Sequence, residues 1–426
     1  MIQLNFLLFT FLAVFLLRSG IQLFLNGLNI SYLQRHRNTV PEVFQNIVDQ
    51  EKLRKISSYT VDSDRFHLIA TLVNQGFFLG ILLSGFLPWL VKIVSPWGFE
   101  PIASGLIFFA ALSILANLLL IPFDLYDTFV IEDRYGFNTM TFKIWISDLF
   151  KSIAIFTILG GLLLYLLLAL VVYGGKTWWL WAWVGVGAFE LMMLWLFPRV
   201  IAPLFNKFEP IENKTLGDHI NALMEKVGLR AKGVFRMDAG KRSRHTNAYF
   251  TGIGRSKRIV LFDTLLASHA EEEVLAILAH EMGHWKKRHL LKQIILLELL
   301  SLAIFYAVAK FLDWPLLYQT FGFKDSIPYV GLFLIGALLS PISYFAQPLE
   351  SAISRRFERE ADDFAVDLME TIGPMQNALK RLATDNLANL IPHPLYAWFY
   401  YFHPPLVERI ERLSPQSVGS KQAAEG

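Results

Sequence analysis

The chain has no cysteine in its 426 residues. That excludes disulfides, cysteine-based zinc fingers and a thiol nucleophile, and leaves the redox compartment unreadable. Charge is also scarce: Asp, Glu, Lys and Arg make up 18% of the residues, against about 25% in soluble globular proteins. A net charge of +3 is too small to point to nucleic acid. Internal repeats and low-complexity tracts are absent. What is present is apolar. The chain is 54% hydrophobic, its mean hydropathy is +0.42, and its apolar runs reach about 20 residues, the length that crosses a bilayer. These values describe a mainly α, polytopic membrane protein whose first partner is the lipid bilayer.

Seven runs qualify as spans, near 4–26, 66–94, 102–124, 150–173, 177–199, 291–313 and 328–349. The first lacks a basic leader and a small-residue cleavage site, so it is expected to be a retained span and not a signal peptide. The tract TWWLWAW at 177–183 marks an interfacial aromatic belt. Arg35, Arg37, Lys52, Arg54, Lys55 and Arg65 crowd the loop after the first span, and basic residues recur after the third, fifth and seventh. The alternate loops hold little more than Lys176 and Lys324. The positive-inside rule then places the N-terminus outside and the C-terminal tail in the cytoplasm.

The segment ILAHEMGHWKKRH, 277–289, carries the chemistry. Ser268 and Glu271 read as a capping box opening a helix. On that helix His280 and His284 stand at i and i+4, so both imidazoles leave one face. Two neutral imidazoles on one turn can grip a single Zn2+, and zinc activates water and polarises a carbonyl. Glu281, beside His280, is placed to act as general base. Gly283 leaves room for a close neighbour. A catalytic zinc needs a third protein ligand, and His289 is too near on the same helix to supply it. In SRRFEREADDFAVDLME, 354–370, Glu358 and Asp362 share a helical face with Ala361 and Ala365. Glu358 is a candidate third ligand, and Asp362 a candidate acceptor for the second N–H of a ligand histidine. The same stretch also reads as an ordinary solvated helix with Arg–Glu pairs. Two membrane crossings separate His284 from Glu358, so both half-sites lie on one side.

HEMGHW, SRRFEREAD, NAYFTGIG (247–254), HPPLVER (403–409) and EDRYGFNTMTFKIWISDLFK (132–151) together resemble the integral-membrane zinc metalloproteases that include the type 1 CAAX prenyl proteases. The resemblance covers most of the chain. It implies one zinc per chain held by His280, His284 and Glu358, with Glu281 as base. It places Asn247 and Tyr249 on a substrate-lining edge strand, and His403 and Arg409 among groups that contact substrate or stabilise the oxyanion. Without it, His403 reads as a turn histidine before Pro-Pro. It further implies spans arranged as a barrel around a water-filled chamber. Glu190, Glu298, Asn74 and Gln75 would suit such a wall, or pairing between helices. Glu360 stands where the family often has a neutral residue; it points about 200° around the helix from Glu358 and is not taken as a ligand.

The resulting division is 1–199, five membrane helices and their cytoplasmic loops; 200–290, a small zincin-like α+β domain with the HExxH helix; 291–349, two further membrane helices; 350–413, the part bearing the third ligand; and 414–426, a tail expected to be disordered. GVFRMD, AYFTGIG and KRIVLFDTLL are the expected strands. His36, His67, His219, His245, His269 and His393 have no partner at ligand spacing; of these His245 is the one that could approach substrate. The expected activity is zinc-dependent hydrolysis of peptide bonds in protein substrates, near C-termini or in extended or membrane-associated segments. A non-catalytic clearance or binding protein retaining a structural zinc is the alternative, and a tethered hydrolase of soluble substrates a further one. No retention signal is evident in the tail, so a prokaryotic plasma membrane is expected, with the endoplasmic reticulum membrane as alternative.

Overall fold

The computed structural model describes residues 2–229, 233–252 and 258–414. The last two residues of the expected strand AYFTGIG, and all but the first residue of the tail, lie outside them.

Among the described residues, seven helices are long and apolar enough to cross a membrane. The first five are α1 (Phe6–His36), α2 (Gln50–Leu83), α3 (Pro101–Tyr135), α4 (Phe142–Tyr173) and α5 (Gly175–Phe205). Three of them, α1, α2 and α4, start at a side-chain cap. The Asn5 side chain accepts the Leu8 N–H, Asp49 accepts that of Lys52, and Thr141 that of Ile144, each satisfying a donor that the first turn leaves free. The apolar core of the membrane part gathers Leu8, Phe11 and Phe15 of α1, Leu82, Phe108 of α3, Leu168 of α4 and Trp178 of α5. Of the expected aromatic belt, Trp178 is buried and Trp181 exposed.

The second span differs from expectation. It begins well before residue 66, because Asp49 caps a polar extension that carries α2 about 24 Å past the apolar run. It stops at Ser84–Gly85, where Gly85 at φ 82° breaks the rod ahead of a separate short helix, Phe86–Val94. Gln75 does not face a chamber. It accepts from Ser19 at 2.9 Å and donates to Gln22 at 3.0 Å, tying α2 to α1.

After α5 the chain builds a four-stranded sheet in the order β1 (Phe208–Pro210), β2 (Val234–Met237), β4 (Arg258–Phe262), β3 (Ala248–Thr251), with helix α6 (Lys214–Val227) between β1 and β2. β2 and β4 run parallel; the outer pairs are antiparallel. β1, a three-residue edge, has no alternating pattern to mark it in the sequence. One sheet face packs Ala248, Ile259 and Leu261 against Val274 and Leu278 of helix α7 (Glu271–Lys286).

The chain then enters the membrane as α8 (His289–Phe311), returns as α9 (Pro328–Ser343), and after one tight turn continues as α10 (Gln347–Met369). The seventh span and the helix carrying Glu358 are therefore nearly one rod. Helices α11 (Gly373–Asp385), α12 (Pro394–Tyr400) and α13 (Leu406–Arg412) close the structure. The segment after α3 docks on the sheet unit: Arg242 donates to Asp148 at 2.7 Å, and the Arg244 N–H to the Phe137 carbonyl at 2.9 Å.

Candidate metal centre

Helix α7 is capped two residues later than expected. Ser268 ends a preceding short helix, and its hydroxyl bonds His269. The N-cap is Ala270, whose N–H donates to the Glu273 carboxylate at 2.9 Å. Only that reciprocal half of a capping box exists, since alanine has no acceptor. Glu271–Glu273 fill the first turn, where the helix dipole favours negative charge.

α7 lies against α10, and Gly283 sets the distance. A Cβ there would stand 3.0 Å from Ala361 Cα and 3.1 Å from its carbonyl oxygen. Ala361 and Ala365 are buried at the same interface. Small residues on both helices bring the i, i+4 pair of one over the i, i+4 pair of the other. His280 Nε2 and His284 Nε2 are 3.1 Å apart. Each is 3.3 Å from a Glu358 carboxylate oxygen.

Two imidazole nitrogens 3.1 Å apart, each 3.3 Å from one oxygen of the same carboxylate, suit one small cation. Tetrahedral zinc with ligands at about 2.0–2.1 Å separates those ligands by about 3.3–3.4 Å. The buried Glu358 Oε2 has no hydrogen-bond partner, an orphan that a cation would satisfy. Among the described residues this trio is the one group of histidine and acidic side chains close enough to hold a metal.

The surroundings orient the trio. His280 Nδ1 is 2.8 Å from Asp362 Oδ1, off the ideal hydrogen-bond line. Asp362 is fully buried and receives two bonds from Arg409, Nε at 2.9 Å and Nη2 at 2.6 Å. This is the planar fork that guanidinium makes with carboxylate. Arg409 is itself buried; its Nη2 lies 3.9 Å from Glu358 Oε2. His403 differs: its side chain is 65% exposed, with Nε2 3.4 Å from Glu358 Oε1. Burial lowers the His280 pKa, but the Asp362 and Glu358 carboxylates outweigh it and raise the imidazole to about 9. Metal binding would have to displace that proton.

Glu281 and His284 open onto a cleft of about 830 Å³, shared with Phe250–Gly252 of the edge strand, Trp285, and Glu190 and Glu298 from α5 and α8. Burial raises the Glu281 carboxyl, Glu358 adds to this, and the two ligand-side imidazoles oppose it. The net upward direction suits a base working near neutrality. Glu298 fits because Gly187 leaves it space: a Cβ there would be 2.9 Å from its Oε1.

Residues 29–207 match the family described as "CAAX prenyl protease N-terminal, five membrane helices", and residues 210–417 match peptidase family M48. A CAAX prenyl protease 1 homolog of Arabidopsis thaliana is 33% identical over 383 residues, covering 88% of this chain and 90% of that one. CAAX prenyl protease 1 of Saccharomyces cerevisiae is 33% identical over 419 residues, with 92% of each covered. The chain belongs to peptidase family M48. The crystal structure of S. mikatae Ste24p superposes with a TM-score of 0.86 at 30% identity, over 94% of this chain and 99% of that one. As a member of peptidase family M48, the chain is an integral-membrane, multi-pass zinc metalloprotease that acts on peptide or protein substrates.

Some expected site residues of this M48 chain lie elsewhere. Tyr249 is on β3, but its ring packs with Met237, Val260 and Phe262 on the sheet face away from α7. Asn247 is exposed just before β3, and its side chain caps the Ala248 N–H. The cleft is lined instead by Phe250, Thr251 and Gly252. Period-two alternation could have singled out Phe250, since it shares a face with Ala248. His245 does not reach the trio. It stacks on Phe137 at 3.9 Å and bonds Glu132 and Asn386 at 3.1 and 3.2 Å, pinning the 132–137 segment to the sheet. His289, set aside by spacing, touches His284 Nδ1 at 3.0 Å because Arg288 at φ 56° breaks the helix between them.

Proposed function

We propose that this chain binds one zinc through His280, His284 and Glu358 and cleaves extended peptide segments with Glu281 as general base. The observation that carries the reading is the convergence of three ligand side chains, with His280 and His284 Nε2 3.1 Å apart and 3.3 Å from Glu358 Oε2 and Oε1 respectively, beside a cleft that also holds Glu281.

Zinc, when bound, would polarise the scissile carbonyl and acidify a water. The chain's own groups do the rest. Glu281 takes the proton of the attacking water on its carboxylate and returns it to the leaving amine. Asp362 fixes the His280 ring, and Arg409, committed to Asp362, acts as a positioning group and not as a substrate contact. His403, exposed beside Glu358, is the side chain free to donate to the developing oxyanion. β3 is an edge strand, so an extended peptide can pair with its free main chain while Phe250 packs the substrate side chain. Asn247 would continue that edge. Glu190 and Glu298 fit the wall of a water-filled chamber between the helices.

Membrane-associated or C-terminal protein segments are the substrates this arrangement suits. The relatives are named for cleaving CAAX prenyl proteins, and prenylated C-termini are one such class. The basic loops support a site on the cytoplasmic side with the N-terminus outside. On this reading the host is a prokaryotic plasma membrane, with the endoplasmic reticulum as alternative. A structural zinc without catalysis is disfavoured by Glu281, which such a site does not require. The test is Glu281→Gln in the full-length chain. Cleavage of a peptide library should fall by about 10²–10⁴-fold while zinc stays near one per chain. Unchanged cleavage would remove Glu281 as the base.

A further inference from the structure

The geometry points to His289 and Glu360 as a positioning relay that fixes the tautomer of the zinc ligand His284. The inference rests on the zinc reading above.

His284 Nδ1 faces His289 Nδ1 at 3.0 Å, and His289 Nε2 faces Glu360 Oε2 at 3.1 Å. His289 is 2% exposed, and its ring lies flat on Phe357, centroids 4.3 Å apart and 9° between planes. Arg356 holds the other oxygen, Glu360 Oε1, at 3.0 Å, and Lys292 Nζ lies 3.9 Å from Oε2. Flanked by two cations, Glu360 is a carboxylate, which can only accept. His289 Nε2 therefore carries the proton that faces it. A neutral His289 then presents Nδ1 as an acceptor, and the atom opposite, His284 Nδ1, must donate. A neutral His284 with its proton on Nδ1 turns the Nε2 lone pair toward His280 and Glu358. The direction of every hydrogen is thus set from the Glu360 end.

The two ligand histidines are oriented by analogous means at different range. His280 meets the Asp362 carboxylate directly, whereas His284 meets the Glu360 carboxylate through a bridging imidazole. An N–H held by an acceptor fixes ring orientation and raises ligand basicity. Glu360 points away from the trio along α10, so its influence has to pass through His289. The left-handed Arg288 makes the bridge possible, because it restarts the helix with His289 turned back over His284.

The experiment uses the full-length chain in detergent, stripped of metal and titrated with zinc against a chelating competitor, then loaded with cobalt(II) for its visible spectrum. His289→Phe keeps a flat ring on Phe357 but removes the acceptor. Zinc affinity should fall by about 10–100-fold, and the cobalt bands should shift. Glu360→Leu should weaken zinc in the same direction. Glu360→Gln keeps an acceptor oxygen and should restore affinity to within about threefold of the parent. Melting of the metal-free variants separates misfolding from lost orientation: the inference requires zinc affinity to drop in variants that melt as the parent does. Parent-like affinity and spectrum in both His289→Phe and Glu360→Leu would overturn it, as would an equal loss in Glu360→Gln and Glu360→Leu. If the parent itself binds no zinc, the metal reading fails first and the relay with it.

Discussion

Replacing Gly283 by alanine tests how the site is assembled. The new Cβ would sit 3.0 Å from Ala361 Cα, 3.1 Å from the Ala361 oxygen and 3.2 Å from Phe364 Cβ. Ordinary contact begins at 3.4 Å, so α10 must move by a few tenths of an ångström against its own backbone. Metal–ligand distances tolerate about 0.2 Å. Because Glu358 and Asp362 ride on α10, the shift opens the 3.3 Å gaps from His280 and His284 to Glu358. Zinc affinity is expected to fall by about tenfold or more, on the scale of disturbed outer-shell support. Stability should change less. Overpacking costs about 1–3 kcal/mol, and alanine returns up to about 1 kcal/mol of helix propensity. The control is Gly217→Ala on α6, whose Cβ would meet Ile211 at an ordinary 3.6 Å. That change should stabilise by up to about 1 kcal/mol and leave zinc untouched. Competition titration reads affinity, and thermal melting reads stability. Parent-like zinc affinity in Gly283→Ala would refute the argument that helix approach sets the ligand geometry.

Two further outcomes follow from the same site. Glu358→Ala should leave His280 and His284 without their third partner, so that zinc content measured by metal analysis drops well below one per chain; full occupancy would move the third ligand elsewhere. Arg409→Met strips a buried carboxylate of its fork and should destabilise by about 3–5 kcal/mol. Adding Asp362→Leu should recover most of that stability in chemical denaturation without restoring zinc affinity; a single variant as stable as the parent would contradict the buried pairing.

Much of this was legible in the chain, for identifiable reasons. The spans announced themselves because a bilayer demands about 20 apolar residues in a row. The trio half on α7 was visible because i, i+4 is a local spacing on a local helix. The helix start is not legible because Ser268 offers a good cap chemically, yet it already ends the helix before. Period-two alternation groups Phe250 with Ala248 and apart from Tyr249, but which of those two faces lines the cleft depends on how β3 is paired. Spacing along one continuous helix excludes His289, but the positive φ of Arg288 breaks that helix.

By itself the sequence determined that this is a seven-span membrane protein, that a histidine pair at metal-ligand spacing precedes the sixth span, and that two crossings return the chain to the same side. Periodicity and run length are properties of neighbours along the chain, so they can be read there. Only the tertiary structure decided which acidic residue meets the histidines, which carboxylate orients each ring, and which residues of the edge strand face the cleft. Those outcomes depend on how closely α7 and α10 approach. That distance is set where Gly283 meets Ala361, between residues the sequence separates by two membrane crossings.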